Sequence, residues 1–77
     1  MNTVIEVTPL LGSSVEGERP LDKKSYRVVV SDGIRRVTVE ARLTLEMVEM
    51  LAEPEESIRK YFATQTLPED GSVVDVL

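Results

Sequence analysis

Apolar and polar side chains alternate along two neighbouring stretches of the chain, which predicts a pair of half-buried β-strands. In the sequence YRVVVSDGIRRVTVEA, residues 26–41, valine-rich runs stand on both sides of an Asp32-Gly33 step. Asp-Gly between two such runs is typical of a two-residue turn that joins antiparallel strands. With that turn, Ser31 opposes Ile34, and the rest of the hairpin register follows.

In this register one face of the hairpin is apolar and the other carries charge. The apolar face holds Tyr26, Val28, Val30, Val37 and Val39, with Arg35 near the tip. Arg27 and Arg36 project from the opposite face. A three-residue loop would place Val28 against Arg36, so the valine pattern favours the two-residue loop.

Shorter apolar patterns predict a strand near each end of the chain. The first is Thr3–Thr8, in which alternation places Ile5 and Val7 on the same face as Thr3. Pro9 follows, and proline is tolerated only at the end of a strand or on a sheet edge. After a turn at residues 68–71, the run of residues 73–77 is long enough for a short final strand.

The segment between the first strand and the hairpin has a different composition. Residues 11–25 are rich in Gly, Ser, Glu, Pro and Lys, which predicts a long mobile loop. Gly12 is followed by serines and lacks the Gly-Lys-Ser/Thr ending of a phosphate-binding loop. We therefore expect a solvated loop without phosphate-binding chemistry.

Helical spacing appears after the hairpin. Thr44 suits a helix N-cap, and apolar residues follow at spacings of three and four; these are Leu45, Val48, Leu51 and Ala52, flanked by Met47 and Met50. Pro54 suits the first position of a second helix, in which Ile58 and Phe62 share a face. Glu55 with Arg59 and Glu56 with Lys60 have the spacing of favourable ion pairs along a helix.

The predicted order is therefore β-β-β-α-α-β, which indicates a small α+β domain. We expect a mainly antiparallel sheet of three or four strands with two short helices packed on one face. A chain of 77 residues forms a single domain, residues 1–77, with a marginal hydrophobic core. Because the chain has no cysteine and no histidine, disulfides are excluded and a zinc site is not expected. Good packing or self-association would provide the missing reinforcement, and we favour self-association.

Charge is distributed unevenly around a net value of −5. Acidic and basic residues balance over residues 1–40, so the negative excess lies entirely in residues 41–77. Such a charge asymmetry can steer association with a charged partner or a second copy. No apolar run is long enough to cross a membrane and the N-terminus lacks a secretory signal, so we expect a cytoplasmic protein.

The residue types argue against catalysis and against a cofactor. Histidine is the commonest general base and cysteine the most reactive nucleophile, and both are missing, so we do not expect an enzyme. Glu46, Glu49 and Glu53 follow a spacing of i, i+3 and i+7, which predicts an acidic stripe on the first helix. Oxygen ligands of this kind could hold Mg²⁺ or Ca²⁺ weakly, but a solvated helix face is the expectation, and we predict no metal site.

These observations favour a small non-enzymatic protein-interaction or regulatory module, with a homodimer as one option. The predicted contact surfaces are the Arg27/Arg36 face and the stripe of Glu46, Glu49 and Glu53. An outer strand of the sheet, the first or the last, could also pair edge to edge with a partner. An acidic inhibitor or decoy of a nucleic-acid-binding protein is one alternative. Direct nucleic-acid binding by the basic hairpin is another, and the negative net charge argues against it.

Overall fold

The computed structural model of the protein describes residues 2–10 and 23–76. These residues form four strands and two helices: β1 (Thr3–Pro9), β2 (Lys23–Ser31), β3 (Arg36–Thr44), α1 (Leu45–Met50), α2 (Pro54–Thr64) and β4 (Val73–Asp75). The order β-β-β-α-α-β is the predicted one. No helix among the described residues is both long enough and apolar enough to cross a membrane.

The strands form one mixed sheet in the order β1-β2-β3-β4. β1 pairs with β2 and β2 with β3 in antiparallel orientation, whereas β4 runs parallel to β3. Because parallel neighbours need a crossover connection, the two helices lie between β3 and β4 in the chain and cover one face of the sheet. The predicted small α+β fold with a mainly antiparallel sheet is confirmed.

The hydrophobic core lies between this face of the sheet and α2. Its buried members are Tyr26, Val28, Val30, Val37, Val39, Ala41, Leu43, Ile58, Phe62 and Val76. Every apolar residue that the sequence placed on this face of the hairpin is among them, whereas Arg35, predicted near its tip, lies exposed in the loop. Ile58 and Phe62, one turn apart on α2, are also buried as predicted.

The predicted register of the hairpin is wrong by two residues. Ser31 pairs with Arg36, so the loop contains residues 32–35 and not a two-residue Asp-Gly turn. The Oδ1 atom of Asp32 accepts the backbone N–H groups of Ile34 and Arg35, each at 2.8 Å. The Asp32 side chain is thus the acceptor for two backbone N–H groups of the loop, and these hydrogen bonds stabilise the wider loop.

The predicted faces of the hairpin are still correct, because the register error is an even number of residues. Successive side chains of a strand point to opposite faces, so a shift of two residues returns each side chain to the face predicted for it. Gly33 has a φ of +96°, a left-handed conformation that favours glycine at this position of the loop. Ile34, which the sequence placed within β3, lies in the loop and is 92% exposed.

β1 also departs from simple alternation. Val4 pairs with Val30 and Glu6 with Val29, so Ile5 is the extra residue of a β-bulge. The bulge places Val4 and Val7 against the core and leaves Ile5 47% exposed, contrary to the predicted face of Thr3, Ile5 and Val7. Pro9 ends β1 on an outer strand of the sheet, as expected.

The helix boundaries follow the predicted signals. The Thr44 hydroxyl accepts the backbone N–H of Met47 at 3.2 Å and caps α1, and Pro54 opens α2. The C-terminal end of α2 is held by Asn2, whose side-chain amide donates to the carbonyl oxygens of Phe62 at 3.1 Å and Gln65 at 2.6 Å. Carbonyl groups at a helix end have no partner within the helix, so these bonds fix α2 to the start of β1.

The connections before β2 and β4 match the predictions only in part. Lys23–Ser25 belong to β2, so the predicted mobile loop of residues 11–25 is wrong at its C-terminal end, and the rest of it lies outside the described residues. The predicted turn at residues 68–71 is displaced by one residue: the Ser72 backbone N–H donates to the Glu69 carbonyl at 3.2 Å, with Gly71 at a φ of +81° between them. Of the predicted final strand, Val73–Asp75 is a strand.

Candidate interaction surfaces

The open face is the side of the sheet that the helices leave uncovered. Strand alternation places its charged residues there; they are Glu6, Lys23, Arg27, Arg36, Glu40, Arg42 and Asp75. Opposite charges pair on this face. Lys23 of β2 lies 2.9 Å from Asp75 of β4, and the Arg42 and Glu40 side chains lie 2.8 Å apart within β3.

Arg27 is held by an acid from the neighbouring strand. Its guanidinium donates from Nε and Nη2 to the Glu6 carboxylate, each at 3.3 Å. The Thr8 hydroxyl donates to the same carboxylate oxygen at 2.7 Å. The hydrogen bond from Thr8, and after it the bond and charge of Arg27, lower the pKa of Glu6. A partner that binds Arg27 therefore has to compete with Glu6.

Arg36 lies near the hairpin loop in a different environment. It has no ion pair within the described part of the chain. It lies on the rim of a shallow depression of about 440 Å³ lined by Arg35, Arg36, Val37, Glu69 and Asp70. Arginine and carboxylate groups share this depression, so it has no strong net charge.

Arg27 and Arg36 share the open face, as predicted, but they do not form one patch. In the ladder between β2 and β3, Arg27 lies opposite Glu40 and Arg36 lies opposite Ser31. The two arginines are therefore four residue positions apart along the strands. At about 3.4 Å per residue this is about 14 Å. The predicted register separated them by only two positions. The wider loop around Asp32 therefore splits the basic surface of the hairpin.

α1 presents apolar and acidic side chains together to solvent. This helix has no buried residue. Leu45 is 41% exposed and Met50 is 78% exposed, while Glu46 and Glu49 are exposed between them. The sequence predicted an apolar stripe packed on the core, but only Val48 and Leu51 of that stripe contact it. We call Leu45, Glu46, Glu49 and Met50 the α1 surface.

Glu53 does not extend the acidic stripe of α1. The helix ends at Met50, and Glu53 is the N-cap of α2, with a non-helical backbone (φ −136°, ψ 86°) and no side-chain hydrogen bond to the helix. The predicted spacing of i, i+3 and i+7 on a single helix is therefore wrong for Glu53. Pro54 explains the difference, because a proline disfavours the helical conformation for the residue before it.

Glu53 instead lines a shallow depression at the junction of the two helices. This depression has a volume of about 360 Å³ and is lined by Ala52, Glu53, Pro54, Glu55, Glu56 and Arg59. No group of three potential metal-ligating side chains occurs within the described residues. Arg59 does not pair with Glu55 as its spacing predicted, because its guanidinium donates to the Val4 carbonyl oxygen at 3.0 Å.

The outer edge of β4 is a further surface that the sequence identified only in general terms. Val73 is 51% exposed although it belongs to a strand. The signal available in the sequence was the short run Val73-Val74-Asp75, which contains no proline or lysine. The sequence did not distinguish the first strand from the last as the one with an unprotected edge, because strand order and edge protection depend on contacts between distant segments.

In comparisons with known proteins, no protein family model, no curated protein and no solved structure matches the chain. Inference about its function therefore rests on the fold and on these surfaces.

Proposed function

We propose that this protein is a non-enzymatic interaction module of the cytoplasm that binds a basic partner protein through the α1 surface. The observation that supports this proposal is the exposure of Leu45 and Met50 on a helix that buries no residue. Isolated helices this short are marginal in water, and tertiary packing usually supplies their stability. A partner that covers Leu45 and Met50 would supply further packing.

The charge of the α1 surface indicates the chemistry of that partner. Glu46 and Glu49 flank the apolar side chains, and the last turn of α1 has no basic residue. Glu53, Glu55 and Glu56 extend the negative potential toward the start of α2. A basic surface with an apolar centre is complementary to this arrangement, and methionine adapts readily to the shape of a partner. Surfaces that otherwise bind nucleic acid belong to this class.

Direct nucleic-acid binding by the hairpin has less support. Arg27 is paired with Glu6, Arg42 with Glu40 and Lys23 with Asp75. Nucleic-acid binding draws on many basic groups that neutralise phosphates, and these pairs lower the positive potential of the open face. The net charge of −5 has the same effect over longer distances.

The experiment is affinity capture from host extract, with nuclease added, followed by binding measurements on the purified partner. Glu49→Lys and Met50→Ser each alter the α1 surface. Glu69→Lys makes the same change as Glu49→Lys, and Ile34→Ser likewise replaces an exposed apolar side chain with serine; both lie elsewhere on the surface and serve as matched controls. We expect each α1 variant to weaken binding about tenfold, equivalent to about 1.4 kcal/mol, and each control to bind as the unmodified protein does.

Three results would contradict the proposal. The first is a partner that binds the α1 variants and the controls equally well. The second is a partner that is lost when nuclease is added, which would return attention to Arg27 and Arg36. The third is a folded bait that retains no basic protein.

A further inference from the structure

The two outer strands of the sheet differ in how their free edges are protected. β1 carries the bulge at Ile5, ends at Pro9, and is bonded to α2 through Arg59 and the Val4 carbonyl. Bulges, prolines and covering side chains are the usual means by which proteins prevent edge strands from pairing with other chains. β1 is therefore a poor template for another strand.

β4 has none of these features. Glu40 donates its N–H to the Ser72 carbonyl at 3.0 Å, and Val76 donates its N–H to the Arg42 carbonyl at 2.9 Å. Ser72 and Val76 thus direct these backbone groups toward β3. Val73 and Asp75, which lie opposite Glu40 and Arg42 in the ladder, alternate with them along the strand. In a parallel ladder the backbone groups of Val73 and Asp75 therefore point away from β3. Within the described residues these two N–H and two C=O groups have no partner.

We infer that β4 pairs with β4 of a second copy of this chain, antiparallel and across a twofold axis at Val74. In that register Val73 lies opposite Asp75 of the other copy. Each such pair exchanges two backbone hydrogen bonds, so all four outward groups of each copy are satisfied. The sheets of the two copies then form one continuous sheet.

The side chains of β4 fit a second copy of the same strand. Val74 is partly buried and packs against the core, so Val74 of each copy would meet at the axis and join the two cores. Val73 would be covered on the open face. Asp75 is already paired with Lys23 at 2.9 Å, so neither copy brings an unpaired carboxylate to the interface.

The small size of the interface predicts a weak dimer. Three-residue strands bury less surface than a standard protein interface does, so we expect a dissociation constant between about 10 µM and 1 mM. This inference does not depend on the α1 surface or on its partner.

The test is sedimentation equilibrium of the full chain up to about 1 mM, a concentration at which even the weakest dimer in this range is half formed. Val73→Pro removes an outward N–H that β3 does not use, so pairing with β3 is retained. Val73→Thr keeps the N–H and the branched side chain and is the matched control. We expect Val73→Pro to weaken the dimer at least about tenfold, because one hydrogen bond is lost at each of the two symmetric positions.

Amide hydrogen exchange on the unmodified protein gives a second measurement that does not depend on the folding of a variant. The Val73 and Asp75 amides should gain protection as the concentration rises, while the inward-facing Val76 amide should change less. A protein that is still entirely monomeric at about 1 mM, the highest dissociation constant in the expected range, would overturn the inference. So would a dimer that leaves the Val73 and Asp75 amides unprotected or that Val73→Pro does not weaken.

Discussion

The Asp70 side chain is the hydrogen-bond acceptor for the Thr38 backbone of β3, at a position where β4 has not yet begun. Its Oδ1 atom accepts the Thr38 backbone N–H at 2.8 Å, and the Gly71 N–H donates to the Thr38 carbonyl, also at 2.8 Å. A side chain and a turn amide thus take the positions that strand residues would occupy. This contact fixes where the chain enters β4 and thereby sets the parallel register.

We expect Asp70→Ala to lower the free energy of unfolding by about 1 kcal/mol, because the Thr38 N–H loses its acceptor. Asp70→Asn keeps an oxygen at the same position and should cost less than half as much. Urea unfolding of the three proteins measures both differences. Equal losses in the two variants would mean that the charge of Asp70, and not the hydrogen bond, is what stabilises the turn.

Asp32 should make the free energy of unfolding depend on pH in the acidic range. Hydrogen bonds from the Arg35 and Ile34 backbone N–H groups lower the pKa of Asp32 below its ordinary value of 3.8. A carboxyl group with a lowered pKa contributes stability that is present above the ordinary value and is lost as the pH falls through the folded-state pKa. Asp32→Asn should therefore reduce the slope of stability against pH below about pH 4.

Glu6 also has a lowered pKa, so Asp32→Asn alone should leave part of this slope. The double variant with Glu6→Gln should reduce the slope further than either single variant does. Thermal unfolding at a series of acidic pH values provides the measurement. An unchanged slope in the double variant would show that other carboxyl groups control acid unfolding.

The core and the hairpin loop offer the same substitution in opposite environments. Ile58 is fully buried and Ile34 is 92% exposed. Ile58→Ala should lower the free energy of unfolding by about 2–5 kcal/mol, because a buried cavity remains. Ile34→Ala should change it by less than about 0.5 kcal/mol. Chemical denaturation distinguishes the two, and a large loss at Ile34 would mean that its side chain is covered in solution.

The contacts of Glu6 predict which substitutions shift its titration. Thr8→Val removes the hydrogen bond that is the largest single cause of the lowered pKa of Glu6, and Arg27→Ala removes both a hydrogen bond and a charge that lower it. Both variants should raise the pKa of Glu6. Arg36→Ala, four strand positions from the site opposite Arg27, should leave it unchanged. Side-chain NMR titration measures these shifts, and an unchanged pKa in either Thr8→Val or Arg27→Ala would contradict these contacts of Glu6.

Arg27→Ala should also lower the free energy of unfolding only slightly, by less than about 1 kcal/mol, because the ion pair with Glu6 is exposed to solvent. Added salt should reduce the difference from the unmodified protein. Urea unfolding at low and high salt checks both statements. A loss that salt does not reduce would indicate that Arg27 stabilises β2 mainly through the packing of its alkyl chain.

Local patterns in the sequence predicted the elements and most of the core. The valine alternation of β2 and β3, the Thr44 cap and Pro54 act over a few residues, and each gave the correct element. Burial on the hairpin was also predicted correctly, because a register error of two residues preserves the faces. The stripe of α1 was less informative, since its spacing does not reveal whether the sheet extends beneath the helix.

One local feature with two possible conformations, and several features that depend on distant contacts, were wrong or missed. The Asp32 side chain could have capped a wider loop or allowed a tight turn, and the Asp-Gly step alone does not distinguish them. The bulge at Ile5 depends on the strand that β1 pairs with. Arg59 could pair with Glu55 on its own helix or reach the Val4 carbonyl, and only the packing of α2 against β1 decides between them.

The crossover from β3 to β4 determines the order in which the sheet assembles. β2 and β3 are joined by a loop of residues 32–35, so their pairing costs little loop-closure entropy. β4 can pair only after residues 45–72, which include both helices, have brought it back beside β3. A strand of three residues gains few bonds on arrival, so we expect β4 to dock last during folding and to detach first under strain.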